Sequence, residues 1–336
     1  MVTIYDIAKR ANVSPMTVSR VINNSPSIKE STRLKVEQAI RELDYVPNKQ
    51  ARSLTSKETR LVSLVIPDIS NPFFTNIARG AEDKALQHGY QLILGNTDEN
   101  QDKEEKYVNM LMSTGVDGVL IAPTGDESAA HMKKLVKRRI PFVYVDRTVQ
   151  AVPADSVTGD NPSTIRQLVH HLTERGHSRI ALINGPGFLS NAREREMAFD
   201  EALMLTGLSP QPAYKIETHF KKDNLNEIID KLKELRDSDF PTAIVAANNF
   251  IGVNTLRALQ ALQIRVPEET AVACFDDPDI IPDYNPFLTV ANQPAYDMGF
   301  VGMQLLIERI QGNAPSTYRR IVLPAEIIVR RSSGEQ

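Results

Sequence analysis

Residues 3–23 read Thr-Ile-Tyr-Asp-Ile-Ala-Lys-Arg-Ala-Asn-Val-Ser-Pro-Met-Thr-Val-Ser-Arg-Val-Ile-Asn, and this stretch predicts two short helices joined by a tight turn. Thr3 and Asp6 have the spacing of a helix N-terminal capping box, and apolar residues then recur at helical intervals. Ser14 can cap the second helix. Pro15 suits its first position, because the N–H that proline lacks would be unpaired there.

The second helix has two faces of different character. Val18, Val21 and Ile22 form an apolar face, whereas Met16 and Arg20 lie four residues apart on another face. An exposed arginine flanked by small hydroxyl residues fits a DNA major groove, since arginine reads guanine edges and Ser or Thr hold phosphates. Taken alone, the pattern also fits an ordinary helical hairpin with a solvated arginine.

The composition limits the class of protein. At 336 residues the chain is long enough for two or three domains, and 41% hydrophobic residues are typical of a soluble globular protein. The single cysteine, Cys274, excludes an internal disulfide and suits the cytoplasm. Neither a signal segment nor an apolar run of membrane-spanning length is present, so we expect a cytoplasmic protein with no membrane partner.

Charge divides the chain into a basic and an acidic part. Residues 1–60 hold 11 Lys and Arg against 6 Asp and Glu, and the remainder holds 28 against 36. A basic head on an acidic body is typical of a small nucleic-acid-binding module joined to a part that avoids nucleic acid.

Beyond the two helices the pattern predicts three regions. A third helix over 30–43 closes a small head, and residues 48–56 form a polar linker. From Leu61 onward apolar runs of strand length alternate with segments of helical length, which favours parallel sheets covered on both faces. These runs are 61–66, 91–94, 117–122, 141–145, 179–183, 243–247 and 271–275. About eleven strands are too many for one sheet, so two α/β subdomains with a cleft between them are expected.

Polar clusters follow several of these predicted strands. In open α/β sheets ligands bind beyond the carboxyl ends of the strands, so the clusters predict a small-molecule site. They are Pro67-Asp68-Ile69-Ser70-Asn71, Asn96-Thr97-Asp98, Asp146-Arg147, Asn184-Gly185, Asn248-Asn249 and Asp276-Asp277.

The whole chain resembles the LacI/GalR family of bacterial transcription regulators. The most specific matches share the order and spacing of several short motifs. They are Tyr5-Asp6-Ile7-Ala8, the stretch from Val13-Ser14 through Thr17-Val18-Ser19-Arg20-Val21-Ile22-Asn23, Tyr45-Val46-Pro47-Asn48 with Ala51, Arg52 and Leu54, Ile66-Pro67-Asp68-Ile69-Ser70-Asn71-Pro72-Phe73-Phe74, and Phe275-Asp276-Asp277.

The resemblance implies an all-α helix-turn-helix head, a hinge helix and an α/β core like the periplasmic binding proteins. The head is placed at 1–47, the hinge at 48–60 and the core at 61–336. Within the core, one subdomain takes about 61–160 and 293–322, and the other takes about 161–292 and 323–336. The resemblance also implies a homodimer on a near-palindromic operator. The chain's last residues lack the leucine heptads of the family's tetramers.

The resemblance assigns roles to residues of the head and hinge. Pro15, Met16 and Arg20 match residues that face base edges. Leu54 matches a hinge leucine that enters the minor groove as a wedge and kinks the duplex; without the resemblance it reads as a stray surface leucine. The remaining matched DNA-binding positions are Thr3, Tyr5, Ser14, Thr17, Ser19, Asn23 and Asn48.

The resemblance also places an effector site at the strand ends. Phe73 and Phe74 match the mouth of the pocket, and Asp160 lies at a neighbouring crossover. The polar positions that hold the effector match Asp146, Arg195, Asn248 and Asp276. Carboxylates that accept from hydroxyl pairs and a planar arginine donor suit a polyhydroxylated ligand, so a sugar or sugar acid is expected. For each residue alone, a solvated loop charge or a helix cap remains the alternative.

Two arginines suggest that the effector is a sugar acid. Arg147 and Arg195 lie near the expected cleft, and Asn249 stands where many family members have aspartate. Fewer negative charges with two cations would favour an anion. A neutral sugar is the rival hypothesis.

No pattern of catalytic residues accompanies these features. A Ser–His–Asp set, a phosphate-binding loop and a zinc motif are lacking from the sequence, so we expect neither an enzyme nor a metal or cofactor site. The expected function is effector-controlled repression of carbohydrate-utilisation genes. The alternatives are a regulator controlled by a phosphorylated carrier protein, which would dock on the helix at 296–310 where Gln304 replaces a docking arginine, and a sugar-binding transport protein.

Overall fold

The computed structural model describes residues 2–22, 25–45, 59–236, 239–278 and 286–334. The chain divides into two compact units, residues 1–59 and 60–336. No described helix is both long enough and apolar enough to cross a membrane.

The N-terminal unit is a three-helix head. Its helices are α1 (Ile4–Ala11), α2 (Pro15–Ile22) and α3 (Glu30–Glu42). Ile7, Val18 and Val36, one from each helix, are completely buried and form the centre of its apolar core. The predicted capping interaction is present, since the Asp6 carboxylate accepts hydrogen bonds from the Thr3 N–H (2.8 Å) and hydroxyl (2.7 Å). These contacts fix the start of α1.

In its described residues the larger unit contains two six-stranded sheets, which confirms the predicted core of two α/β subdomains. The strands of the first sheet, in spatial order, are β11 (Arg320–Leu323), β5 (Asp155–Gly159), β4 (Phe142–Val145), β3 (Gly118–Ile121), β1 (Leu61–Ile66) and β2 (Gln91–Asn96). Those of the second are β12 (Glu326–Ile328), β10 (Thr289–Asn292), β9 (Ala271–Phe275), β8 (Ala243–Ala246), β6 (Ile180–Asn184) and β7 (Lys215–Glu217).

All neighbouring strands run parallel except the edge pair β10 and β12. The helices that connect them cover both faces, as buried parallel sheets require. They are α4 (Pro72–Gln87), α5 (Gln101–Thr114), α6 (Ala129–Arg138), α7 (Asn161–Glu174), α8 (Ser190–Leu205), α9 (Leu225–Arg236), α10 (Asn249–Ala261) and α11 (Ala295–Ile310).

The chain passes between the two sheets three times, after β5, after β10 and between β11 and β12. Each sheet is therefore built from separate stretches of sequence. The C-terminal segment is pinned to the second sheet, because the Ser332 hydroxyl donates to the Val272 carbonyl (2.6 Å) and accepts from the Thr289 N–H (2.7 Å).

Candidate functional site

Helix α2 presents one face to solvent and buries the other. Ser14 caps it, since its hydroxyl accepts from the Thr17 N–H at 3.1 Å. Val18 and Val21 are buried, whereas Met16 is 65% exposed and Arg20 is also exposed. Of the three residues predicted to face base edges, Met16 and Arg20 are therefore accessible on the face opposite the core, and Pro15 is half-buried.

The other predicted DNA contacts of the head lie on or next to the same helix pair. Thr3 and Ser14 are exposed, and Tyr5 is 70% exposed. Thr17 and Ser19 are half-buried, and the Thr17 hydroxyl shares a hydrogen bond of 2.9 Å with that of Ser14. Three further predictions, Asn23, Asn48 and Leu54, fall outside the described residues.

In the larger unit, the ends of strands from both sheets surround a narrow cleft. Asp146 follows β4 of the first sheet, and Asp276 follows β9 of the second. Both adopt a left-handed backbone conformation (φ 64° and 62°), which is uncommon for residues other than glycine and clusters at functional sites. The described side chains leave a cavity of about 20 Å³ there. Its lining is Asp68, Asn71, Phe73, Phe74, Glu99, Asp146, Arg147, Asn191, Arg195, Phe220, Asn248 and Asp276.

Arg195 is the central cation of this cleft. It projects from α8, is only 2% exposed and lies over the Phe275 ring, with its Cζ 4.1 Å from the ring centroid. Its Nε donates to Asn161 Oδ1 at 2.8 Å, and its Nη1 donates to the Ala247 carbonyl. These contacts hold the guanidinium plane in one orientation.

Two buried carboxylates face Arg195. Burial raises the pKa of Asp276 to about 7, although Arg195 and a hydrogen bond from Gln293 (2.9 Å) oppose the rise. Burial also raises the pKa of Asp146, against the attraction of Arg147 and Arg195. Both carboxylates can accept hydroxyl hydrogens when ionised, and the charge of Asp276 responds to pH near neutrality.

Arg147, which the sequence presented as a second free cation, is already paired. Its Nη1 and Nη2 donate to the two carboxylate oxygens of Glu99 at 2.7 and 2.8 Å. Its Cζ lies 6.0 Å from the centroid of Phe74 and 5.5 Å from that of Phe220. The guanidinium is thus close to two aromatic rings, and its charge is balanced by Glu99.

Two asparagines join the starts of two helices. Asn248 caps α10 by accepting from the Ile251 N–H (2.8 Å), and it also lines the cleft. The Nδ2 of Asn249 donates to Asn71 Oδ1 at 2.9 Å, and that oxygen also accepts from the Phe73 N–H. The amide that replaces the family's frequent aspartate therefore links the N-terminal end of α10 to that of α4.

The structure brings together six of the seven predicted effector residues. Phe73, Phe74, Asp146, Arg195, Asn248 and Asp276 all line the cleft. Asp160 is not among its described lining residues. Instead, its carboxylate caps α7 by accepting from the Ser163 N–H at 3.0 Å, which is the helix-cap alternative for that residue.

Several lining residues were not among the seven predicted effector residues. Asp68 and Asn71 belong to the cluster after β1 that the strand-end rule had already placed at the site, and Glu99 lies one residue beyond the cluster after β2. Phe220 and Asn191 follow no such cluster. Their place in the cleft depends on the packing of the second sheet and its helices.

The comparisons with known proteins agree with both parts of the chain. Residues 3–48 match the family model described as bacterial regulatory proteins, lacI family, and residues 169–333 match the periplasmic binding protein-like domain. Catabolite control protein A of Priestia megaterium is 36% identical over 334 residues, which is 99% of each chain.

Two solved structures span the full length. The complex of the transcriptional regulator CelR with cellobiose is 32% identical, with a TM-score of 0.73 over 99% of this chain and 100% of that one. The lac repressor dimer bound to operator and the anti-inducer ONPF is 27% identical, with a TM-score of 0.85 over 99% of both. The chain is thus a DNA-binding transcription regulator with an effector-binding core. It belongs to the lacI family of bacterial regulatory proteins.

Proposed function

We propose that this regulator acts as a homodimeric repressor of carbohydrate-utilisation genes, and that a small neutral sugar controls its affinity for a near-palindromic operator. The observation that carries the DNA-binding part is the exposed pair Met16 and Arg20 on α2, a helix whose opposite face is buried. The similarity to the operator-bound lac repressor dimer supports both the operator and the dimer.

The charges of the cleft support a neutral sugar over a sugar acid. Four carboxylates, those of Asp68, Glu99, Asp146 and Asp276, line it against the two guanidiniums of Arg147 and Arg195. Because Glu99 already neutralises Arg147 and both Asp146 and Asp276 face Arg195, neither guanidinium is left uncompensated for an anionic ligand. Hydroxyl groups can donate to the carboxylates and accept from Arg195. The complex of CelR with cellobiose supports this class of ligand.

Arg20→Ala tests base reading. The operator is first selected from random duplexes with the wild-type chain. Loss of a bidentate contact should then weaken operator binding by about 1–3 kcal/mol and relax the preference at one base pair per half-site. Lys35→Ala is the matched control, since Lys35 is an exposed cation on α3. Equal weakening on operator and random DNA would show that Arg20 contacts only phosphate.

Leu54 is proposed as the minor-groove wedge of the hinge. Leu54→Ala should reduce DNA bending while effector binding is retained, because the substitution removes only the intercalating side chain. A circular-permutation gel measures the bend, and an unchanged bend would refute the wedge.

The effector class is tested with matched ligands. A thermal-shift screen of sugars, sugar acids and sugar phosphates identifies a stabilising compound, and calorimetry then compares that sugar with its uronic or aldonic acid. We expect the neutral member to bind more tightly. Tighter binding of the acid would contradict the charge argument and restore the sugar-acid hypothesis.

The carrier-protein alternative gains no support from α11. Gln304 is exposed there, and its amide donates to Glu308 Oε1 at 3.1 Å. A phosphorylated partner would therefore meet an amide and a carboxylate in place of an arginine.

A further inference from the structure

A second cavity lies next to the effector cleft and is built from the continuation of the same chain segments. Asp146 and Arg147 line the cleft, and the residues that follow them, 148–150, line the second cavity. On α8, Asn191 and Arg195 line the cleft, whereas Ser190, Arg193, Glu194 and Met197 line the second cavity. Its other walls are Tyr144, Pro153, Ala154, Ser156, Tyr318, Arg319 and Arg320.

The second cavity has the size and lining of a small-molecule site. Its volume is about 390 Å³, within the range of roughly 300–1,000 Å³ that such sites occupy. Val149, Pro153, Met197 and the ring of Tyr318 supply apolar surface, and Tyr318 is 58% exposed. A flat or apolar ligand body could pack against these side chains.

The Ser156 hydroxyl is the polar group of this cavity that indicates a ligand. Ser156 is on β5 beside Tyr144 of β4, and it is 95% buried. The Tyr144 hydroxyl is used, since it donates to the Val152 carbonyl at 2.9 Å. Among the described residues no side-chain hydrogen bond of Ser156 is formed, and the residue lines the cavity, so its hydroxyl is left to the cavity. A ligand hydroxyl or carbonyl in this cavity would satisfy it.

The second cavity has one arginine whose charge is only weakly balanced. Arg193, Arg319 and Arg320 line it, and Glu194 is the acid among its described lining residues. Arg193 is paired with Asp126, and Arg319 with Asp155 and Glu308. Arg320 is the most available of the three, because its side chain is 66% exposed and its ion pair with Glu194 is long (3.3 Å). An exposed pair of this kind is weak, so a ligand anion can compete with Glu194 for this guanidinium.

We propose that the second cavity binds a small organic anion, with its carboxylate or phosphate at Arg320, its flat body against Tyr318 and Met197, and a hydroxyl at Ser156. The site draws on strands of the first sheet and on helix α8, which follows β6 of the second, and two hydrogen bonds separate it from the cleft. The Thr148 N–H donates to Ser190 Oγ at 2.9 Å, and Asn191 Nδ2 donates to Asp146 Oδ2 at 3.2 Å. A ligand in either cavity therefore stabilises the same arrangement of the loop after β4 and the start of α8.

Methionine-methyl NMR on the full-length chain tests the site, because Met197 lines the cavity and Met204, seven residues later on α8, does not. The probe is 4-hydroxybenzoate, and the neutral comparison is 4-hydroxybenzamide. Met197→Leu assigns the resonance. Arg320→Gln removes the proposed anion contact, and Arg265→Gln is the control, since Arg265 is likewise exposed and paired with a glutamate.

We expect a saturable shift of the Met197 methyl group with the acid and none at Met204. The amide, and the acid on Arg320→Gln, should bind roughly tenfold more weakly, as loss of one charge-assisted contact predicts. Arg265→Gln should bind as the wild type does. The proposal is overturned if Met197 does not respond at about 10 mM acid, if acid and amide bind equally, or if Arg320→Gln binds the acid normally.

Discussion

The two neighbouring cavities of the core differ in volume, in charge and in how their arginines are held. The effector cleft leaves about 20 Å³ and holds more acids than arginines, and its two guanidiniums are almost fully buried. The second cavity leaves about 390 Å³ and holds more arginines than acids, with Arg320 mostly exposed. Both are lined by the loop after β4 and by the start of α8.

The difference shows that an arginine's role depends on what already pairs with it. Arg147 and Arg195 were counted as free cations when only the sequence was considered, yet Glu99, Asp146 and Asp276 surround them. Arg320 carries the same charge but only a long contact with Glu194. Net charge in a cavity, and not the presence of arginine, therefore decides which ligands it favours.

Removal of Arg195 is expected to have the largest effect. Arg195→Met leaves Asp146 and Asp276 buried without their shared cation, so the free energy of unfolding of the core should fall by about 3 kcal/mol and effector binding should be lost. Denaturant unfolding measures the first and calorimetry the second.

Arg193→Met is the matched control for that experiment. Arg193 lies two residues earlier on α8 and pairs with Asp126 at 2.8 Å across a partly exposed surface. The Arg193→Met substitution should lower the free energy of unfolding by less than about 1 kcal/mol. Similar losses in the two variants would show that the cleft arginine is no more important to the fold than a surface one.

The pH dependence of the cleft gives the next largest effect. Because burial raises the pKa of Asp276 to about 7, the folded chain holds a proton there that the unfolded chain releases near its ordinary pKa of 3.8. The contribution of Asp276 to the unfolding free energy therefore falls as pH rises from about 4 to 7. Asp276→Asn removes this dependence.

The unfolding free energy of Asp276→Asn relative to that of the wild type should therefore be roughly 2 kcal/mol higher at pH 8 than at pH 5. Thermal unfolding of both chains at the two pH values measures the gain. A difference that does not change with pH would mean that the Asp276 carboxylate is ionised throughout this range.

The fold was predictable where the pattern in the sequence is local. The apolar runs that begin at Leu61 and Ala271 became β1 and β9, and the caps at Thr3 and Ser14 gave the starts of α1 and α2. Strand β5 was missed because Asp-Ser-Val-Thr-Gly is not apolar, although every residue of it is buried. Its Asp155 is neutralised by Arg309 and Arg319 from the distant end of the chain, and such pairing leaves no local signal.

The candidate site was predictable to a similar extent and for the same reason. Strand ends and the family pattern located Asp146, Asn248 and Asp276, which line the cleft. The pairing of Glu99 with Arg147 and the approach of Phe220 depend on how three separate loops pack. Because of these contacts, the charges of the cleft favour a neutral sugar, whereas the sequence alone had raised a sugar acid.

The smallest expected effect is at the contact that separates the two cavities. Ser190→Ala removes the oxygen that accepts from the Thr148 N–H without changing a charge in either cavity. The cost should be about 1 kcal/mol of unfolding free energy, the usual value for one hydrogen bond. Ser113→Ala is the control, because the Ser113 hydroxyl bonds only to the Met110 carbonyl within α5, and its loss should cost less than about 0.5 kcal/mol. If Ser190→Ala costs no more than this control, the loop after β4 and the start of α8 are not held together by that bond, and the two cavities would be neighbours without a shared support.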